Sequence, residues 1–80
     1  MITTHDYLGY QIHVECGQHR LSSIQSAWMA SFEYTRDGVS VQERVQACAR
    51  QKTAQAARDK ALRFAIISID ARADRRRGRQ

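Results

Sequence analysis

The chain has 80 residues and a formal net charge of +5 at pH 7, room for one domain with a small core. Its two cysteines, Cys16 and Cys48, are too few for a secreted disulfide scaffold. No signal peptide is visible, and no apolar stretch approaches the roughly 18 residues that cross a bilayer. The expectation is a cytoplasmic protein without membrane insertion.

The charge is unevenly placed. Residues 72–80 carry five Arg against one Asp, so the body is close to neutral and the tail strongly basic. Leu, Ile, Val and Phe together number 15, a thin stock, and the 11 Ala bury little area each. A domain of this size hides only about 60–65% of its unfolded surface and gains from a metal or a partner chain. Self-association is therefore an expectation of composition alone.

Residues 1–6 read as a disordered lead-in to a single domain over 7–72. Tyr10, Ile12, Val14 and Cys16 alternate with Gln11, His13 and Glu15, the period of a half-buried strand. Gly17 to Ser26 reads as a loop. Trp28, Ala30, Phe32 and Tyr34 then alternate with Met29, Ser31, Glu33 and Thr35, giving a second strand with its rings on one face. Asp37-Gly38 signals a type I′ hairpin because both residues accept positive φ. The third strand follows over Val39 to Val45. A two-residue loop sets Thr35 against Ser40, Tyr34 against Val41, Glu33 against Gln42 and Ala30 against Val45; Phe32 against Glu43 is the mismatch.

Arg50 to Arg72 holds no Gly or Pro and reads as one amphipathic helix. At about 100° per residue, Ala54, Ala57, Ala61, Leu62, Phe64, Ala65, Ser68 and Ile69 share a face. Lys52, Ala56, Asp59, Lys60, Arg63 and Asp70 share the opposite one, with Ile67 also on the wet side. Asp59 and Arg63, four apart, are spaced to pair. Residues 73–80 read as a disordered basic tail. The expected fold class is α+β, a three-stranded antiparallel sheet (β-β-β-α) packed against one long C-terminal helix. Phe64 counts here as a core ring, so Phe64→Ala is expected to cost about 3–5 kcal/mol.

The opening Tyr7-Leu8-Gly9-Tyr10-Gln11-Ile12, the strand motif Trp28-Met29-Ala30 and the Ala-rich helix closing on Ile69-Asp70 resemble a group of small uncharacterised bacterial proteins. Their pattern is a Tyr-x-Gly-Tyr-x-Ile start, a Trp-x-Ala strand and a helix ending Ile-Asp. The likeness covers about residues 7–70 and implies a β-β-β-α fold and no activity. Lys52-Thr53-Ala54 with Ala57 and Ala61-Leu62, and the Gly17-Gln18-His19 segment, are similar to parts of the double-stranded-RNA-binding domain. That resemblance implies a helix whose basic start sits on phosphates across a groove. The chain departs from it by lacking the family's first helix and by reducing its lysine cluster to Arg50 and Lys52.

His13, Cys16 and His19 lie three apart, with His5 and Cys48 elsewhere. His13 and Cys16 belong to opposite faces of one strand, and the spacing matches no common zinc module. No metal or other cofactor is expected. Catalysis needs a nucleophile beside a base and a site for developing charge. Nothing supplies an oxyanion nest, a nucleophile elbow or a Gly-rich phosphate loop, and Glu33 reads as a solvent-face residue near Arg44. No catalytic residue, enzymatic activity or small-molecule substrate is expected.

Two binding functions remain. The first is a non-catalytic protein-interaction or regulatory module, forming a homodimer or taking a protein partner. The thin core, wet-face Ile67 and an unpaired strand edge support it. The second is nonspecific binding of RNA or DNA. Arg75, Arg76, Arg77 and Arg79 would neutralise phosphates, and Arg50, Lys52, Lys60 and Arg63 would extend the contact along the helix. The open sheet face, with Gln11, His13, Glu15, Ser31, Glu33, Ser40, Gln42 and Arg44, offers no aromatic platform for stacked bases.

Overall fold

The computed structural model describes residues 2–20 and 26–78. Four strands, β1 (Ile2–Tyr7), β2 (Tyr10–Arg20), β3 (Ser26–Arg36) and β4 (Val39–Gln51), form one antiparallel sheet in the order β1-β2-β3-β4. One helix, α1 (Ala54–Gly78), lies across one face. The class is α+β, as the sequence indicates, with four strands rather than three.

The additional strand is β1, formed by residues expected to be a disordered lead-in. It pairs with β2 from Ile2↔Glu15 to Tyr7↔Tyr10. The two-residue loop between them holds Leu8 at φ 50° and Gly9 at φ 84°. These are the positive values that match a tight hairpin to the twist of its strands. Strand β2 also passes straight through Gly17, where a loop was expected, and runs to Arg20 opposite Ser26. The part of that expected loop over 21–25 lies outside the described residues.

Asp37 and Gly38 make the second tight turn as expected, at φ 53° and 79°. The first rungs, Arg36↔Val39 and Thr35↔Ser40, follow the two-residue register. Four register shifts then displace β4, so Gln42 rather than Val41 faces Tyr34, Val45 rather than Glu43 faces Phe32, and Cys48 rather than Val45 faces Ala30. The bulges remove the one mismatch the simple register contained. Glu43 turns out to solvent and an apolar partner meets Phe32. Arg50, in the last bulge, takes φ 62°.

The helix starts later than expected, at Ala54, leaving Arg50 in β4 and Lys52 in the link. Thr53 sets this boundary. Its hydroxyl accepts from the Ala56 N–H at 3.1 Å and its carbonyl from the Ala57 N–H at 3.2 Å, the geometry of an N-cap. At the other end the helical backbone continues to Gly78, through most of the segment expected as a disordered tail. It is not long and apolar enough, over the described residues, to cross a membrane.

The core lies between α1 and the β2–β3 face. Ala57, Ala61, Ala65 and Ile69 bury against Tyr10, Ile12, Val14, Cys16, Ala30, Phe32 and Tyr34. Trp28 is half-buried and packs on the same cluster. The helix thus lies on the ring-bearing face, as its sequence requires. Phe64 is the exception, 43% exposed where the sequence places it in the core. Its neighbours explain this. A stripe spaced four apart drifts about 40° round the helix per step, so the contact line runs obliquely through the alanines. Phe64, one residue before Ala65, is turned about 100° off that line.

Alanine along the contact line leaves no room for larger groups. Ala61→Leu should therefore destabilise by about 1–3 kcal/mol or more, measured by urea unfolding, because added methylenes lift the helix from the rings. Phe64→Ala should cost under about 1 kcal/mol in the same assay, reversing the expectation from sequence.

Candidate functional site

The face of the sheet away from α1 is polar. The Arg44 guanidinium spans three strands there. It donates from Nη1 to Ser31 Oγ at 2.8 Å and from Nη2 to Glu33 Oε1 at 3.0 Å, and its Nη1 lies 3.3 Å from Glu15 Oε2. Glu33 sits beside Arg44 as the sequence implies. His13 Nδ1 lies 3.2 Å from Thr4 Oγ1 on the same face. A shallow depression of about 230 Å³ nearby is lined by Glu15, Gly17, Met29, Ser31 and Gln46 and is open to solvent. Both carboxylates beside it are engaged by Arg44, so the arrangement locks strand to strand.

His13 and Cys16 point to opposite faces, as their spacing requires. Cys16 is a buried thiol whose Sγ contacts the Ala54 carbonyl at 3.5 Å. No group of three or more His, Cys, Asp or Glu able to hold a metal occurs among the described residues.

Under the second half of α1 the polar groups converge on Tyr34, whose side chain is fully buried. Its hydroxyl shares a 2.7 Å hydrogen bond with Ser68 Oγ and accepts from Arg72 Nε at 2.8 Å. The Arg72 guanidinium also lies 5.7 Å from the Tyr34 ring centre. Phe32 stacks parallel to Tyr34 at 6.3 Å, Tyr10 meets it edge-on at 5.5 Å, and Arg36 covers Tyr10 at 5.4 Å. Alongside, the Tyr7 hydroxyl donates to Asp70 Oδ1 at 2.8 Å. Arg72, the last residue of the helix expected from sequence, is thus tied into the fold. The cluster fixes where the helix lies along the sheet.

The four expected nucleic-acid residues whose side chains are described, Arg50, Lys52, Lys60 and Arg63, lie in two places. Arg50 and Lys52 are exposed at the corner between β4 and α1. Lys60 and Arg63 are exposed on the solvent side of α1, together with the oppositely charged Asp59. Charge on that side alternates instead of accumulating. Among the described residues, neither Asp59 nor Arg63 has an ion-pair partner, so their expected pairing is not made. The side chains of Arg75, Arg76 and Arg77, and all of Arg79, lie outside the described residues.

A different surface stands out, one the sequence marks only through Ile67. Ile2, Leu8, Val39, Val45, Phe64 and Ile67 are the exposed large apolar residues among those described. Val45 faces buried Phe32, and Val39 faces Arg36, which covers Tyr10, so both valines lie on the helix side at the β4 edge. Asp70, bonded to Tyr7, marks the flank of α1 that looks toward β1. Phe64 is about 120° round from Asp70, on the flank toward β4, and Ile67 continues it onto the outer surface. Val39, Val45, Phe64 and Ile67 thus line the side where α1 packs over β4. Strand alternation alone hides this, because it does not say that β4 is an edge.

No family model, curated protein or solved structure matches the chain.

Tyr34→Phe removes a buried hydroxyl and leaves Ser68 and Arg72 without it. It should cost about 1–3 kcal/mol by urea unfolding. Hydrogen bonding to Asp70, with smaller contributions from desolvation and the Asp70 charge, raises the Tyr7 phenol above its ordinary value of 10.0. That contact therefore stabilises the fold below pH about 10 and is lost as pH rises through the raised value. The difference in melting temperature between wild type and Tyr7→Phe should shrink over that alkaline range.

Proposed function

We propose that the chain is a non-catalytic protein-interaction module, docking through the apolar flank where α1 packs over β4. The observation that carries this is the placement of its larger apolar side chains. Of the 13 Leu, Ile, Val and Phe residues that the structure describes, Ile12, Val14, Phe32 and Ile69 are buried, and Val41, Leu62 and Ile66 pack partly buried against the core. Six are exposed, and four of these share one flank. Scattered exposed apolar residues are ordinary, whereas several gathered on one flank mark an interaction surface. The polar clusters support the same reading, since Arg44 and Tyr34 are satisfied by groups that hold the sheet and helix together. Cys16 as a buried thiol suits a reducing compartment, and a cytoplasmic location belongs to the proposal.

Nonspecific nucleic-acid binding is the second reading. It is favoured by the helical backbone running on through Arg75, Arg76 and Arg77, a basic stretch of the kind that neutralises phosphates. Alternating charge around Lys60 and Arg63 supports the first reading instead.

Peptide-phage selection on sparsely immobilised chain, with Phe64→Glu as the counter-target, tests the module. Enrichment of peptides that fail to bind the variant is the expected result; equal binding to both proteins would overturn it. In parallel, labelled duplex RNA and DNA should show little uptake at low salt. Tight uptake abolished by changing Arg75, Arg76, Arg77 and Arg79 to Gln would instead establish the second reading.

A further inference from the structure

We infer that the occupant of the α1/β4 flank is a second copy of this chain, docked about a two-fold axis with the two α1 helices antiparallel. The inference rests on the interaction-module reading and names its partner.

The exposed residues Lys60, Phe64, Ile67 and Ala71 follow one another at spacings of four, three and four. That alternation keeps them in line along the helix and is the spacing of a seam between two helices. In an antiparallel pair whose axis passes between residues 65 and 66, Phe64 packs on Ile67 of the partner subunit. Ala71 meets the Lys60 stem, whose methylenes cover it while the ammonium stays in water. The same register brings Arg63 to Asp70 of the partner subunit, and the symmetry makes this pair twice. A parallel pairing stacks each residue on its own copy and leaves Arg63 unmatched. The charge pattern is therefore complementary to itself in the antiparallel register.

Both charges are ready for this role. Arg63 is exposed and makes no ion pair among the described residues. Asp70 accepts from Tyr7 through Oδ1, which fixes its carboxylate while leaving acceptor capacity on the other oxygen. Tyr7 is a positioning residue in this arrangement. The seam lies toward β4, so the partner helix also covers Val39 and Val45. Ladder pairing of the two β4 edges is disfavoured by four register shifts and by Arg50 in the left-handed region. Side chains rather than backbone therefore make the contact, and a small helix-pair interface of this kind is weak and concentration-dependent.

Sedimentation velocity of the full chain over a micromolar-to-millimolar series tests this. Wild type should pass from monomer to dimer. I67E should remain monomeric, and R63E and D70K should each weaken association at least tenfold by placing like charges together. An equimolar mixture of R63E and D70K should recover the wild-type dimer, because each cross-pair again joins opposite charges. Far-UV dichroism checks D70K, which loses the Tyr7 bond; I67E and R63E alter exposed positions and keep the test decisive if D70K unfolds. A wild type that stays monomeric throughout overturns the second copy, while the peptide selection still judges the docking surface. A dimer indifferent to I67E and R63E, or variants that fail to complement on mixing, overturns the antiparallel register.

Discussion

The fold depends on how closely one helix can approach one sheet. Ala57, Ala61 and Ala65 present only methyl groups along the contact line, so the rings of Phe32, Tyr34 and Tyr10 fill the space from the sheet side. A leucine-rich stripe would bury more area per residue but would hold the helix further off. Close approach also brings Ser68 and Arg72 within hydrogen-bonding distance of the Tyr34 hydroxyl, and Asp70 within reach of Tyr7. The core and the polar cluster are consequences of one spacing.

That solution has a corollary at the surface. With alanine in the interior, several larger apolar side chains are left exposed, and Val39, Val45, Phe64 and Ile67 lie along the β4 side of the helix. The open face of the sheet took the other course. Arg44 between Glu15 and Glu33 makes it a charged, internally satisfied surface, poorly suited to burial against a neighbour because its ions would lose their water. One side of the molecule is thus closed to apolar contact and another is prepared for it.

The central strands were legible because both are covered by the helix and so alternate cleanly from Tyr10 to Cys16 and from Trp28 to Tyr34. Asp37-Gly38 was legible because few residues accept its backbone conformation. β1 was not. It is an edge strand beside the helix rather than beneath it, so Thr3 and His5 fill its inward positions without an apolar rhythm. Its turn places Leu8 at positive φ, a conformation leucine does not advertise. The bulges of β4 were visible only as the Phe32/Glu43 conflict. Phe64 was misplaced because helical periodicity defines a broad face, whereas alanine packing selects a narrow oblique line. Of the candidate surface, the exposure of Lys60, Arg63 and Ile67 could be read from their helical positions. The contribution of Val39 and Val45 could not, since it depends on which strand is outermost.

The strands follow one another in space as they do in sequence, and the helix comes last. During synthesis each hairpin can therefore close as soon as it clears the ribosome, with only short loops to order. The lid arrives later, because α1 follows all four strands in the chain. Until then the aromatic side of the nascent sheet lacks the helix that covers it, and the interval between closure of the hairpins and emergence of α1 is the one in which a chaperone or a neighbouring nascent chain has access to it.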